Sequence, residues 1–350
     1  MISIDDMFDN NIFPVEDKKK MSEFRRKIEN EAKPEKCILC GKKTTSFCNS
    51  HSVPKMILKN IAENGKVYSS NAMVGAPFID IEKGINNSGT FHFICKECDS
   101  KRFQRYENID SLKVKPDKYI LAEIALKNTL LQLSKRQYEI KQHEVLQALS
   151  NNIVNPEILS KIQALDVRDY EDELQYHLNI LEQNGKGGYN VAFWKLLPYK
   201  VPIAVQTGLS LQEDLEGFQV NAIYNMESEY SVETLHLCVF PLQNQTAVLL
   251  FTAKNSKKYN KWLKQVNRRK DVEMLRYINW LIFKYTENYY MSPSIVPVID
   301  NDSNLKKLSR ESGGYDNLGF LSFLDTKKPK KRIQPSDIPN FLDGKMMDKV

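Results

Sequence analysis

The chain has 350 residues, 41% of them hydrophobic, and Lys+Arg exceed Asp+Glu by 50 to 44 for a net charge of +6. That length is enough for two or three domains with their own cores, which excludes a peptide, a fibre and a wholly disordered tail. The small positive surplus is compatible with a nucleic-acid partner and does not demand one. No uninterrupted apolar run of roughly 18 residues occurs, and Met1 to Asp17 is acidic without the apolar centre of a signal peptide. The expectation is a cytoplasmic protein with no membrane partner.

Taken in chain order, residues 1–32 read as a polar leader carrying a helix from about Lys18 to Glu31, with Lys18, Lys19, Lys20, Arg25, Arg26 and Lys27 on it. A cysteine-bearing module covers 33–110. Within it the spacing predicts a strand over Thr44 to Asn49 and another over Phe91 to Ile94, then a helix capped by Asp99. Residues 111–185 form a helical segment. It opens at Asp117 as N-cap, runs amphipathically through Ile120, Leu121, Ile124, Leu130 and Leu131 to Leu149, and continues as one or two shorter helices over Leu159 to Leu181. From Gly187 the texture changes to short apolar and aromatic runs: Tyr189 to Leu197, Val201 to Thr207, Phe218 to Tyr224, Thr234 to Leu242 and Thr246 to Thr252. Punctuated by Pro, Gly, Asn and Asp, these predict an antiparallel sheet, with helices over Lys257 to Asn267 and Val272 to Glu287 completing an α+β domain of 186–292. Residues 293–350 read as a polar tail with the basic cluster Lys327, Lys328, Lys330, Lys331 and Arg332.

Chemistry concentrates in the second segment. Of six cysteines, four fall as Cys37-x2-Cys40 and Cys95-x2-Cys98, leaving Cys48 and Cys238 single. Two Cys-x2-Cys knuckles in a chain this poor in cysteine predict one tetrahedral structural zinc rather than a disulfide framework. Gly41 follows the second ligand, where a tight turn favours positive φ. Between the knuckles comes Ser50-His51-Ser52-Val53-Pro54-Lys55, and after the second comes Asp99 to Glu107. His143, His177 and His236 fall on different elements, and Trp194, Trp262 and Trp280 sit in apolar contexts that read as core.

The order of knuckle, His-x-x-Pro, insertion, knuckle and carboxylate-bearing helix resembles the HNH endonuclease family, the ββα-metal nucleases, in its zinc-knuckled form. Cys37, Cys40, Cys95 and Cys98 match the family's zinc ligands, and His51 with Pro54 matches its general base and following proline. Asp99 stands where the family usually has Asn or His after the last cysteine, and Arg102 stands where it has a basic residue. Ser50 departs from the acidic or histidine metal ligand before the base, and the stretch around Thr90 lacks the asparagine that orients it. The resemblance covers roughly residues 33–110, and the wording is similar to a divergent bacterial branch met in mobile-element and phage-defence settings. It implies a small zinc-bound, treble-clef-like ββα module, DNA as partner, and a role in anti-phage defence. The remaining residues would sense, target or oligomerise, with a second copy or a defence-system protein as further partner.

The reaction asks for a base near neutral pH and a cation against the charge building on phosphate. His51 suits the first. Asp99 and Glu107 offer oxygens for Mg²⁺ or Mn²⁺, with Ser50 contributing weakly, and they face His51 together only if one helix lies across it. Lys55, Lys59, Lys101, Arg102 and Arg105 would contact phosphates. A bland reading stands beside each: His51 holding a turn or replacing a zinc ligand, Asp99 as a cap, Glu107 paired to Arg102 or Arg105, His92 on the solvent side of its strand, Cys48 a small buried side chain, and the lysines a solvated face. The function classes are thus a metal-dependent endonuclease or a catalytically inactive zinc module that binds nucleic acid or protein.

Overall fold

The computed structural model describes residues 15–70, 82–149, 156–182, 187–312 and 332–347. The fold is mixed α+β, in three layers about a seven-stranded antiparallel sheet of order β3-β2-β9-β6-β7-β8-β5. Its strands are β2 (Lys66–Ser69), β3 (Glu82–Gly84), β5 (Tyr189–Leu197), β6 (Ile203–Leu209), β7 (Leu235–Pro241), β8 (Thr246–Ala253) and β9 (Tyr289–Met291). A separate antiparallel pair joins β1 (Ser50–His51) to β4 (Thr90–Phe91).

β6 and β7 are buried at every position, because both faces of the sheet are covered and alternation of polar and apolar residues is lost. One face, through Ile203, Val205, Leu237, Val239 and Leu250, packs on α7 (Asn260–Val266) and α8 (Asp271–Tyr285). The other, through Ala204, Cys238, Phe240, Leu249 and Phe251, packs on α5 (Lys118–Leu149), α6 (Pro156–Glu182) and the cysteine module. The leader supplies α1 (Val15–Glu31), and the module supplies α2 (Lys55–Ile61), α3 (Lys96–Arg102), β1 and β4, with α4 (Ile109–Leu112) at its end.

Asp117 caps α5 as expected, its Oδ1 accepting from the Tyr119 and Ile120 amides at 2.8 and 2.9 Å. Residues 120–131 of this helix are buried on every side, so its polar residues each meet a different neighbour. Glu123 and Lys127, one turn apart, face the cysteine module. Asn128 and Gln132 face the sheet at His236 and the Gly208 carbonyl, and Thr129 faces Glu173 of α6.

Several expectations are corrected. The strand expected over Thr44 to Asn49 is reduced to an isolated antiparallel bridge of Phe47 with Cys95, and regular pairing begins at Ser50. Leu159 to Leu181 lies in one helix of 27 residues. Phe218 to Tyr224 is no strand: Asp214 Oδ1 accepts from the Glu216 and Phe218 amides, both at 2.9 Å, folding the chain into a turn completed by Gly217 at φ +86°. The insertion between the knuckles does not stay within the module, since β2 pairs with β9 and carries β3 into the main sheet.

The polar tail is also corrected. Ile295, Ile299, Leu305, Leu308, Ile333, Ile338, Phe341 and Leu342 are all buried against α8 and the sheet, some within α9 (Val296–Asp300) and α10 (Ser303–Ser312). They are spaced sparsely among polar residues, which hides a core-filling segment from a composition reading. Lys327 to Lys331 lie outside the described residues, and Arg332 ion-pairs with Glu213 at 2.5 Å. Phe341→Ala is expected to cost about 3–5 kcal/mol, the range for emptying a buried phenylalanine site. Urea unfolding checks this, and a loss below about 1 kcal/mol would return the segment to the status of a tail.

Candidate functional site

The first knuckle is a tight turn in which the Gly41 amide donates to the Cys37 carbonyl at 2.8 Å, with Gly41 at φ +67°. The second is the start of α3, where Cys95 holds the N-cap position and Cys98 follows one turn later. The four sulfurs of Cys37, Cys40, Cys95 and Cys98 lie within 4.8 Å of one another. Cys40 and Cys95 are 3.9 Å apart, close to the ~3.8 Å edge of a tetrahedron whose metal–sulfur bonds are ~2.3 Å. The Cys95 amide donates to Cys37 Sγ at 3.3 Å. Burial and the neighbouring thiols of Cys95, Cys40 and Cys37 push the Cys98 thiol up, a cost that a cation accepting thiolates removes. The set can bind a metal such as zinc.

This clamp places β1 beside α3, and the other expected residues meet there. His51 is half-buried, and its Nε2 lies 2.9 Å from the Ile85 carbonyl. A carbonyl only accepts, so Nε2 carries the proton and Nδ1 keeps its lone pair. That backbone contact orients the ring, whose register partner is Thr90 in place of the asparagine the resemblance implies. Burial, with Lys55 and Lys127 nearby, holds His51 below its ordinary pKa against the opposing Ile85 bond.

Asp99 is not the cap of its helix. It sits inside α3, its amide donating to the Cys95 carbonyl at 3.0 Å, and its carboxylate turns inward to accept from Ser50 Oγ at 2.5 Å and Cys48 Sγ at 3.4 Å. Cys48 is therefore a donor rather than inert filling, and burial followed by Asp99 pushes its thiol up to about 11. α3 ends at Arg102, so Glu107 does not ride two turns along the same helix but follows in a separate turn.

The two carboxylates nevertheless converge, on a residue that sequence reasoning missed. Lys127 Nζ of α5 lies 2.8 Å from Asp99 Oδ1, 3.0 Å from Ser50 Oγ and 3.4 Å from Glu107 Oε1, and 3.7 Å from the centroid of the Phe103 ring. Its side chain is 1% exposed. Burial alone would raise the Asp99 carboxyl, but Lys127, Ser50 and Cys48 outweigh it and hold it below the ordinary value. Glu107 is pushed up by burial and by Asp99, against Lys127. Lys127 is preceded by Glu123 one turn earlier in an otherwise apolar stretch, the one signal that could have marked it.

The expected Mg²⁺ or Mn²⁺ does not fit at these oxygens as they stand, because Lys127 has three donors and the three acceptors take them all. The bases expected to meet phosphate are also mostly occupied. Lys101 pairs with Glu97 at 2.8 Å, Arg102 with Glu182 at 2.5 Å, and Arg105 with Glu123 at 3.5 Å. Lys55 is exposed at the start of α2 with no ion pair among the described residues. Elsewhere Lys115, Lys118 and Lys264, with Asn190, Asn260 and Asn267, line a cleft of about 740 Å³ between the start of α5, β5 and α7. His177 and His236, expected to be unrelated, touch with ring centroids 5.5 Å apart. Burial keeps both neutral, pushing His236 down to about 3.

No family model, curated protein or solved structure matches this chain. Among the described residues no helix is long and apolar enough to cross a membrane. Elemental analysis of the purified chain is expected to find about one metal ion, with Cys37→Ser or Cys98→Ser losing both the ion and the folded module. A metal-free protein that melts cooperatively at the same temperature would remove the clamp from this description.

Proposed function

We propose that the chain is a zinc-stabilised nuclease of the HNH type that hydrolyses phosphodiester bonds, with DNA as the first substrate to test and His51 as general base. One observation carries this: the Ile85 carbonyl fixes the Nε2–H tautomer of His51, leaving an Nδ1 lone pair on a half-exposed ring beside a carboxylate pair and an ammonium. Four cysteine sulfurs in a closed tetrahedral set suit structural zinc, which would hold β1, β4 and α3 as the ββα reading requires. His51 would take the proton of the attacking water, and Lys55, with no ion pair among the described residues, is a cation near it. An anti-phage role and the wider chain as its sensor, targeting or oligomerisation part belong to the same proposal.

The cleft supports a nucleic-acid partner. Lys118 and Arg105 lie over the same Tyr119 ring, each 5.0 Å from its centroid, linking cleft to module. The second reading, a module that binds nucleic acid without cutting, is favoured by Lys127 filling the acidic pair.

Plasmid nicking by the purified chain, with and without added Mg²⁺ or Mn²⁺, decides between them. His51→Ala is expected to lower the rate about 100-fold or more. Equal rates would discard His51 as base, and no nicking under any condition would favour the binding reading. Because burial lowers the His51 pKa, the neutral base is present at pH 7 in a larger share than an ordinary histidine would give. The rate is expected to fall as pH drops through a value under the ordinary ~6.5 and to level off above it. A rate still climbing between pH 7 and 8 would implicate another group. The double substitution Lys115→Glu, Lys264→Glu is expected to weaken DNA binding about tenfold and to flatten its salt dependence. Fluorescence anisotropy across a salt series measures both, and unchanged curves would remove the cleft from the interface.

A further inference from the structure

We infer that Ser50, Asp99 and Glu107 form a cation seat whose occupant is the Lys127 ammonium, so that a divalent metal enters this centre only when Lys127 is taken away. The inference deepens the reading of the His51 centre, and its test is read by metal binding rather than by cleavage.

The three oxygens come from three separate stretches of chain, β1, α3 and the turn after α3, and meet at one point. A hydroxyl and two carboxylates are the donor set of a hard cation, and the chain has placed its own cation there. The arrangement suits an ammonium better than a metal. Three protons match three acceptors, and the remaining side is closed by the Phe103 ring at 3.7 Å. That face attracts an ammonium but offers nothing to an ion such as Mg²⁺ that keeps several waters. A divalent ion bound through the same oxygens at 2.0–2.6 Å would stand within contact distance of a second positive charge.

Nor is Lys127 a surface side chain that swings aside. Its backbone is locked in the buried stretch of α5, with Leu126 and Leu130 fully buried. The next two residues are fixed elsewhere, Asn128 on His236 at 3.2 Å and Thr129 on the Ala125 carbonyl at 3.1 Å. A buried ammonium with two carboxylates is retained because removing any one partner leaves charge uncompensated. The seat thus ties the cysteine module to the helix that also carries the sheet's contacts, and its charge is supplied from within the chain.

The test uses full-length, zinc-loaded protein and Mn²⁺ alone as probe, followed by electron paramagnetic resonance of the free ion. Wild type is expected to show no Asp99-dependent site at submillimolar Mn²⁺. Lys127→Met, which keeps the length and removes the charge, is expected to bind Mn²⁺ at least tenfold more tightly, and adding Asp99→Asn should abolish the gain. If Lys127→Met folds poorly, its melting temperature should rise with Mn²⁺ by more than that of wild type. Mn²⁺ binding by wild type as tight as by the variant, and lost in Glu107→Gln, would overturn the inference. So would a folded Lys127→Met that gains no Mn²⁺ affinity. Either failure leaves His51-dependent nicking untouched, and absence of nicking leaves the Mn²⁺ result standing.

Discussion

A buried ammonium holds the two halves of this protein in register. Lys127 is 1% exposed, and a lysine so deep is tolerated only when its charge and all its protons are met. Asp99, Ser50 and Glu107 meet them. Each comes from the cysteine module, whereas Lys127 comes from the central helix, so satisfying one group fixes the placement of two layers. Four cysteine sulfurs gather at the start of the same α3, the helix from which Asp99 stands 2.5 Å from Ser50.

The same economy runs along α5. Residues 120–131, buried on every face of the helix, cannot present a polar side to water, so the polar residues there are matched to particular neighbours. Glu123 satisfies the Arg105 and Tyr106 amides at 3.0 and 3.1 Å. Asn128 and Gln132 bind the sheet, and Thr129 binds α6. On the sheet side Ser52, next to His51, donates to Asn288, whose own amide donates to the Gln206 carbonyl at 2.5 Å. Gly89 lets β4 pass here: at φ +64° it leaves no room for a Cβ, which would fall 2.3 Å from the Tyr290 hydroxyl. Ser50 and Ser52, on either side of His51, are thus tied to α5 and to the sheet.

Local signals were legible where they were local in cause. Tyr189 to Leu197 forms as a strand with the bounds its apolar run indicates, and Asp117 caps α5 because an N-cap needs only its own next turn. Both Cys-x2-Cys pairs and the Ser50-His51 step carry their chemistry in spacing alone. What misled was the assumption that order along the chain is order in space. Asp99 follows a cysteine and caps well, yet Cys95 already holds that position, which turns Asp99 inward. Lys101, Arg102 and Arg105 looked like free cations, yet carboxylates from their own helix, α6 and α5 neutralise them.

By itself the sequence determined the mixed α+β class, the four-cysteine cluster and the histidine beside it, since these rest on residue type, period and short spacing. Only the tertiary structure decided what stands in the acidic pair, that the insertion becomes two strands of the main sheet, and that residues 333–342 fill its core. The reason is physical: a lysine among leucines, or isolated apolar residues in a polar stretch, acquire meaning from the groups that surround them. Those groups lie 20 or more residues away, Lys127 from Glu107 and Phe341 from α8, beyond the reach of any local pattern.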